Sequence, residues 1–314
     1  MTKRHSKFDV SNTINVSDSQ AVCNAVCDIF HSCYLAADDS KLRRAFEDFD
    51  SLFEGHYNGF NACDTVYHDK HHTLDMTLAL ARLIDGHERQ SDRHRTFGAN
   101  LTILAIITAL FHDSGYIRKT DDQKFHNGAQ YTPVHVSRSA NFLHNYLHMT
   151  GMSEFAEIAA NMVHYTGYEV VPEDIKLPDE KLHLLGYMIG TADLIAQMSD
   201  RCYLEKCRDR LFSEFELGGM TTKQETNGRI VLFESGEDLL AKTPDFYNLE
   251  VKNRLDRLFK QVYKYAEAHF GGDNLYLKYL SQNIHHIEAL IASGELVDLR
   301  RLPPENRGTV LDLN

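Results

Sequence analysis

The sequence predicts an all-α protein. Three observations predict this class: apolar residues recur about every 3.6 positions in nearly every patterned segment, Pro and Gly pairs separate those segments, and only one short stretch resembles a strand. The 314 residues are 43% hydrophobic and 25% charged, which is ordinary for a globular chain and argues against a wholly disordered or fibrous one.

The helical repeat allows each element to be placed in order. The first helix begins near Ser17, where Val22, Val26, Ile29 and Cys33 follow the repeat. A second helix fits Lys41–Phe53, and a Gly- and Asn-containing loop follows at 54–64. Further helices are predicted at 64–85, 96–113, 134–149, 153–166, 180–209, 245–270 and 273–293.

Prolines and glycines mark the boundaries between these helices. Thr132-Pro133 and Val171-Pro172 begin or end helices, and Gly271-Gly272 separates the last two. An irregular loop is expected at 114–132. The segment 216–236 contains four Gly and the β-like run RIVLFES, which predicts a small β-hairpin or flap.

The predicted organisation is one helical body. Residues 1–63 are expected to form N-terminal helices that pack on a core spanning 64–300, and 301–314 form a polar tail. A domain boundary near 210 is the alternative.

Composition limits the partners and the compartment. The formal net charge is −12, from 33 Lys and Arg against 45 Asp and Glu, and the absence of a long basic block argues against binding long nucleic acid.

The longest apolar run, 101–111, is too short to span a bilayer, and the N-terminal residues lack a secretory pattern. Six Cys without paired spacing indicate reduced thiols. We therefore expect a cytoplasmic protein that binds no membrane; a homodimer is compatible with the sequence.

Histidine is unusually abundant, with 18 residues, as many as Gly. In YHDKHHTLDM (67–76), His68 and His72 are four apart, which predicts one shared helix face and a joint role in binding metal or substrate. His112-Asp113 follows an apolar helix, and Asp193 interrupts another, where a buried carboxylate needs a cation or donors. The alternatives are surface histidines and an ion pair of Asp193 with Arg201 or with a Lys elsewhere in the chain.

This order of residues resembles the HD-domain metal-dependent phosphohydrolases, an all-helical superfamily, and is most similar to its class I cyclic-nucleotide phosphodiesterase branch. Tyr67, His68, His72 and Asp75 match the first motif of that branch, whereas Asp69 replaces its Asn. The resemblance covers roughly 64–205. It implies an HD-domain helical bundle, with His68 as general acid and four ligands of a first metal ion: His72, His112, Asp113 and Asp193.

The resemblance also implies a second metal ion, which Asp113 would bridge to the first. His135 and His164 occupy the places in chain order of second-metal ligands in the HD-GYP branch, although the GYP motif is missing; the alternative is that both are ordinary helix histidines. His and carboxylate ligands suit Mg, Mn, Zn or Fe. Asp69 or another nearby carboxylate is expected to orient His68.

The expected function is therefore a metal-dependent phosphohydrolase. The leading interpretation is a phosphodiesterase that hydrolyses a 3′,5′-cyclic nucleotide or a similar small phosphodiester, with a metal-bridging hydroxide as nucleophile and His68 protonating the leaving group. Three alternatives stay open: an HD-type nucleotidase or nucleotide phosphohydrolase, a di-iron HD oxygenase, and a non-catalytic metal-binding sensor.

Overall fold

Helices supply nearly all regular structure in the computed structural model, which describes residues 4–92, 94–225 and 228–305. The α-helices are α1 (Ser19–Cys33), α2 (Ser40–Phe53), α3 (Lys70–Gln90), α4 (Ala99–Leu110), α5 (His135–Met149), α6 (Ala156–Met162), α7 (Glu180–Ser199), α8 (Tyr203–Lys206), α9 (Phe212–Leu217), α10 (Gly236–Phe246), α11 (Tyr265–Phe270) and α12 (Leu275–Ser293). Short 3₁₀ helices lie at Ser114–Tyr116, Gly128–Val134, Ser153–Phe155, Val163–Thr166, Pro172–Asp174, Val262–Lys264 and Leu296–Asp298, and π-helical turns at Cys207–Leu211, Tyr247–Val251 and Arg254–Leu258.

A two-stranded antiparallel hairpin accompanies the helices. Strands β1 (Thr222–Glu225) and β2 (Gly228–Val231) pair with Thr222 opposite Val231. The hairpin lies inside the segment 216–236, so the predicted all-α class with a small hairpin is confirmed. Two residues of that segment, 226–227, and residues 306–314 of the predicted tail lie outside the described residues.

Helix α3 is the central element of the fold. Every residue from His71 to His87 is buried, and the helix packs against α1, α4, α7 and α11. The contact with α11 requires glycine at Gly86, because a Cβ atom there would lie 1.8 Å from the Tyr265 carbonyl oxygen. Side chains on all faces of α3 therefore reach buried space, which allows one helix to serve a site on one side and a core on another.

Side-chain caps define where several helices begin. The Asp69 carboxylate accepts the backbone N–H of His72 at 2.9 Å and caps α3, and Asp179 caps α7 in the same way through Leu182. Ser235 caps α10, and Asn274 caps α12. These caps place the first turns of α3 and α7, which carry or precede residues of the site described below.

The N-terminal segment is anchored by a buried ion pair. Asp9 Oδ2 lies 2.7 Å from Arg82 Nη2 on α3, and the same carboxylate accepts backbone N–H groups of Ser11, Thr13 and Ile14. Buried apolar residues form one cluster from Val10 to Leu299. Among the described residues, no helix has the length and apolar character needed to cross a lipid bilayer.

The predicted bounds of three helices were wrong. The helix predicted at 64–85 begins at Lys70, so His68 lies in the turn before α3 and does not share its face with His72. The helix predicted at 180–209 is interrupted at Asp200, after the end of α7. The helix predicted at 245–270 is broken where Lys260 and Gln261 adopt positive φ angles of 52° and 59°. The late start of α3 coincides with the Asp69 cap, a local signal that the apolar repeat does not register.

Candidate metal centre

Three elements bring four of the predicted ligands together. His72 comes from the first turn of α3, His112 and Asp113 from the turn after α4, and Asp193 from the middle of α7. His72 Nε2 lies 3.2 Å from Asp193 Oδ1 and 3.5 Å from Asp113 Oδ2, and His112 Nε2 lies 3.1 Å from Asp113 Oδ2. Ligand atoms of His72, His112 and Asp113 all lie within 4.8 Å of one another.

The chemistry of this donor set fits a divalent cation. Asp113 Oδ2 is buried and accepts no hydrogen bond from any described residue. Burial lowers the pKa of His112, but the facing Asp113 and Asp193 carboxylates raise it more, to about 9. Two buried carboxylates therefore lie next to buried imidazoles, and a positive charge between them is favoured. Mixed imidazole and carboxylate ligands are typical of zinc, iron and manganese sites.

The orientation of His112 also suits metal binding. Its Nδ1 donates to the carbonyl oxygen of Ala109 at 2.8 Å, so the neutral ring presents the lone pair of Nε2 to the cluster. Gln197, one turn along α7 from Asp193, donates from Nε2 to Asp193 Oδ1 at 3.4 Å. The Tyr67 hydroxyl in turn donates to Gln197 Oε1 at 3.1 Å. Protein groups therefore hold His112 and Asp193 in place.

His68 is held at the edge of the cluster by Glu214, a residue of α9. His68 Nδ1 lies 2.5 Å from Glu214 Oε2, and Glu214 Oε1 accepts the backbone N–H of Tyr67 at 2.5 Å. Burial lowers the pKa of His68, but the Glu214 carboxylate raises it by a larger amount, so the pKa of His68 is about 9. Of the two predicted alternatives, Asp69 does not orient His68, because it caps α3 and contacts Arg210. The orienting group is another nearby carboxylate, that of Glu214.

Tyr116 lies between two histidines of the site. Its ring stacks on His68 on one side and on His135 on the other, with centroid separations of 4.4 Å in both cases. His135 begins α5, and its Nε2 lies 4.0 Å from Asp113 Oδ1. Its Nδ1 donates to the carbonyl oxygen of Thr132 at 2.7 Å, which leaves Nε2 as the free nitrogen. His135 therefore turns its free nitrogen toward Asp113, and its role as a second-metal ligand stays a prediction.

Close packing brings α5 against the turn that follows His112-Asp113. A Cβ atom on Gly115 would lie 1.8 Å from the His135 carbonyl oxygen, so this approach requires glycine. Arg138 Nε donates to the Gly115 carbonyl oxygen at 2.6 Å, and Ser139 Oγ accepts the Gly115 N–H at 2.8 Å. Arg138, a cation near the site, is thus occupied by backbone contacts.

His164 is placed differently from the other predicted ligands. It lies in the 3₁₀ turn Val163–Thr166, and its buried Nδ1 has no hydrogen-bond partner among the described residues. Within residues 4–92, 94–225 and 228–305, the close nitrogen–oxygen contacts of the cluster involve His72, His112 and His135 but not His164. Its role as a second-metal ligand stays a prediction.

A family model described as Npun_R2479-like matches residues 56–289 of the chain. The chain belongs to the Npun_R2479-like family. The matched region contains every residue of the candidate metal centre described above, from Tyr67 to Glu214. No curated protein and no solved structure matches the chain.

Glu214 is a residue of this site that reasoning from the sequence missed. It is only 1% exposed, within the apolar sequence LFSEFEL, where its neighbour Glu216 is exposed. A carboxylate on the apolar side of a short helix was the available signal, of the same kind that singled out Asp193. Its partner, His68, lies 146 positions away, so no local spacing of residues indicates that the two side chains meet.

Proposed function

We propose that this protein is a metal-dependent phosphohydrolase of the HD-domain type that hydrolyses a small phosphodiester, with a 3′,5′-cyclic nucleotide as the leading substrate. The observation that carries the proposal is the position of the His68–Glu214 pair beside the cluster of His72, His112, Asp113 and Asp193. A structural metal site has no use for an adjacent imidazole with its own buried carboxylate partner.

The cluster supplies the ligands for two divalent ions. His72, His112, Asp113 and Asp193 would hold the first, and Asp113 with His135 would contribute to the second. Bound ions of this kind supply positive potential for phosphoryl oxygens and acidify coordinated water. This local charge explains how a chain with a formal net charge of −12 could attract a phosphate ester.

His68 is suited to protonating the leaving oxygen. Because Nδ1 is engaged by Glu214, the free ring nitrogen is Nε2, and the stacked Tyr116 ring fixes the plane in which it points. Proton transfer from a positioned imidazole accelerates such steps by about 10²–10⁴-fold. Phosphodiester cleavage needs this donor because an alkoxide is a poor leaving group.

Burial of the ligands favours a small substrate. His112 is 1% exposed, Asp113 3% and His72 8%, so a long polymer has no direct access to the cluster in this conformation. The formal net charge of −12 opposes binding of polymeric nucleic acid as well. A mononucleotide-sized ester satisfies both restrictions.

The test is hydrolysis by the purified full-length protein loaded with Mn²⁺ or Mg²⁺. The substrates are cyclic mononucleotides, cyclic dinucleotides and bis-p-nitrophenyl phosphate, with the Asp113→Asn variant as the inactive control. Release of a nucleotide monoester supports the phosphodiesterase, whereas release of inorganic phosphate or pyrophosphate from nucleotides indicates the nucleotidase. No turnover on the whole panel by metal-loaded protein would refute the proposal.

A di-iron oxygenase is the second candidate, favoured by the position of His135 next to Asp113. Such a centre would need an additional imidazole ligand beside Asp113, and His135 would supply it. Iron as the metal retained on purification, together with substrate-dependent oxygen consumption, would favour the oxygenase over the hydrolase.

A further inference from the structure

A small cavity lies behind His72, between α3, α7 and α8. Its lining residues are Tyr67, His71, His72, Asp75, Gln197, Asp200, Tyr203 and Lys206. It has about 10 Å³ of room for the centre of a water molecule, which is near the space that a single water needs. Its lining includes the polar side chains of Asp75, Asp200 and Lys206, and polar partners are the condition under which a buried water is retained.

Two buried polar atoms of this lining have no partner among the described residues. His71 Nδ1 accepts from the Lys206 ammonium at 3.1 Å, so the proton of the neutral His71 ring is on Nε2, and that donor is unpaired. Asp75 Oδ1 is an unpaired acceptor. His71 is 8% exposed and Asp75 6%, so bulk water is not available to either side chain. Burial, together with the Asp200 and Asp9 carboxylates, raises the pKa of Asp75 to about 7.

His72 differs from the other two histidines near Asp113 in the use of its second nitrogen. His112 and His135 donate from Nδ1 to the backbone carbonyl oxygens of Ala109 and Thr132. His72 Nε2 faces Asp113 and Asp193. The His72 side chain also lines the cavity, as does Asp75. A metal-binding histidine almost always donates its other N–H to a carboxylate, a carbonyl or a water, because that bond fixes the ring and raises its basicity.

We propose that one water molecule bound in this cavity accepts hydrogen bonds from His72 Nδ1–H and His71 Nε2–H and donates to Asp75 Oδ1. Three such bonds are the usual number for a buried water. Asp75 and His72 are three positions apart on α3 and are neighbours on the helix surface, which suits a bridge of one water. Asp75 is then a positioning residue that orients His72 through the water.

The inference rests on the metal centre of the proposed function but does not depend on hydrolysis. Its test is the dissociation constant for Zn²⁺, measured on full-length protein by competition with a chelator. We expect Asp75→Asn to weaken Zn²⁺ binding by about tenfold, within the range found for outer partners of metal-binding histidines. The matched control is Asp85→Asn: Asp85 is also buried on α3 but binds His269 and Arg89, and this variant should stay within twofold of wild type.

A second measurement covers the case in which Asp75→Asn does not fold. A high-resolution crystal structure of the Zn²⁺-loaded wild type should show an ordered water within hydrogen-bond distance of His72 Nδ1 and Asp75 Oδ1. Unchanged affinity in a folded Asp75→Asn variant, or a dry cavity in that crystal structure, would overturn the inference.

The outcomes separate this inference from the proposed function. Weakened Zn²⁺ binding by Asp75→Asn in a protein that hydrolyses nothing supports the inference and refutes only the hydrolase. A wild-type protein that binds no divalent metal refutes both.

Discussion

His68 Nδ1 and Glu214 Oε2 lie 2.5 Å apart although 146 positions separate the two residues in the chain. This contact connects the segment after α7 to the candidate metal centre, because α9 contributes the carboxylate that orients the His68 imidazole at the edge of the cluster. It also makes the proposed proton donor open to tests that distinguish donation from metal binding.

Replacing His68 should reduce the rate and leave the metal bound. We expect His68→Gln to lower kcat on a phosphodiester by about 10²–10⁴-fold, the usual contribution of a general acid. Metal content, measured on the same preparation, should stay at the wild-type value. Equal loss of metal in His68→Gln and His72→Ala would remove the general-acid assignment.

Replacing Glu214 should change the pH profile. Because the Glu214 carboxylate raises the pKa of His68 to about 9, Glu214→Gln should lower that pKa. The acid form of His68 is then lost at lower pH, so the alkaline decline of kcat/KM should begin earlier than in wild type. Glu216→Gln, an exposed neighbour on α9, is the control and should retain the wild-type profile.

Removing a ligand should abolish metal binding and its stabilising effect. Asp113 and His72 lie at the centre of the cluster, so His72→Ala and Asp113→Asn should bind no divalent ion and show no activity. In wild type, metal at 100 times its Kd should raise the free energy of unfolding by about 2.7 kcal/mol. Thermal unfolding with and without a chelator measures this difference. His148→Gln, an exposed residue of α5, should behave like wild type.

Adding one methyl group at Gly115 should disrupt the approach of α5 to the site. Because a Cβ atom there would lie 1.8 Å from the His135 carbonyl oxygen, Gly115→Ala should lower the free energy of unfolding by about 1–3 kcal/mol or more. Gly272→Ala is the control, since a Cβ atom on Gly272 meets nothing within 4 Å, and it should stay within about 1 kcal/mol of wild type. Urea unfolding of the metal-free proteins compares the two, and equal stabilities would contradict the packing described at Gly115.

The Asp9–Arg82 pair should contribute stability that is lost in acid. Burial raises the pKa of Asp9, but Arg82 and the hydrogen bonds from Ser11 and Ile14 lower it more, so the net pKa lies below its usual value. The unfolded chain therefore binds a proton first as the pH falls, and stability from this pair is present above about pH 4 and declines below it.

Asp9→Asn tests this pair directly. Loss of one partner leaves the Arg82 guanidinium buried without its counter-charge, at a cost of about 3–5 kcal/mol at pH 7. The difference from wild type should narrow as the pH falls through the acid range. Asp28→Asn, at an exposed position of α1, should change the free energy of unfolding by no more than about 0.5 kcal/mol. A constant difference between Asp9→Asn and wild type down to pH 2 would contradict the assignment.

The sequence by itself determined the helical class and most of the residues around which the site is described. Helix α2 buries Leu42, Ala45, Phe46 and Phe49 on one face, and the repeat that predicts this is local. His112-Asp113 and Asp193 stood out because polar side chains next to long apolar runs need a partner. These signals require only neighbouring residues, so they can be found without a fold.

The tertiary structure decided which partners those residues meet. It brought Glu214 to His68, 146 positions away, and broke the segment 245–270 at Lys260 and Gln261. The start of α3 after His68, by contrast, is marked by the neighbouring Asp69 cap, which the apolar repeat does not register. No local repeat or spacing indicates the Glu214–His68 contact, because the entropy cost of ordering two distant segments is offset only when the whole fold forms.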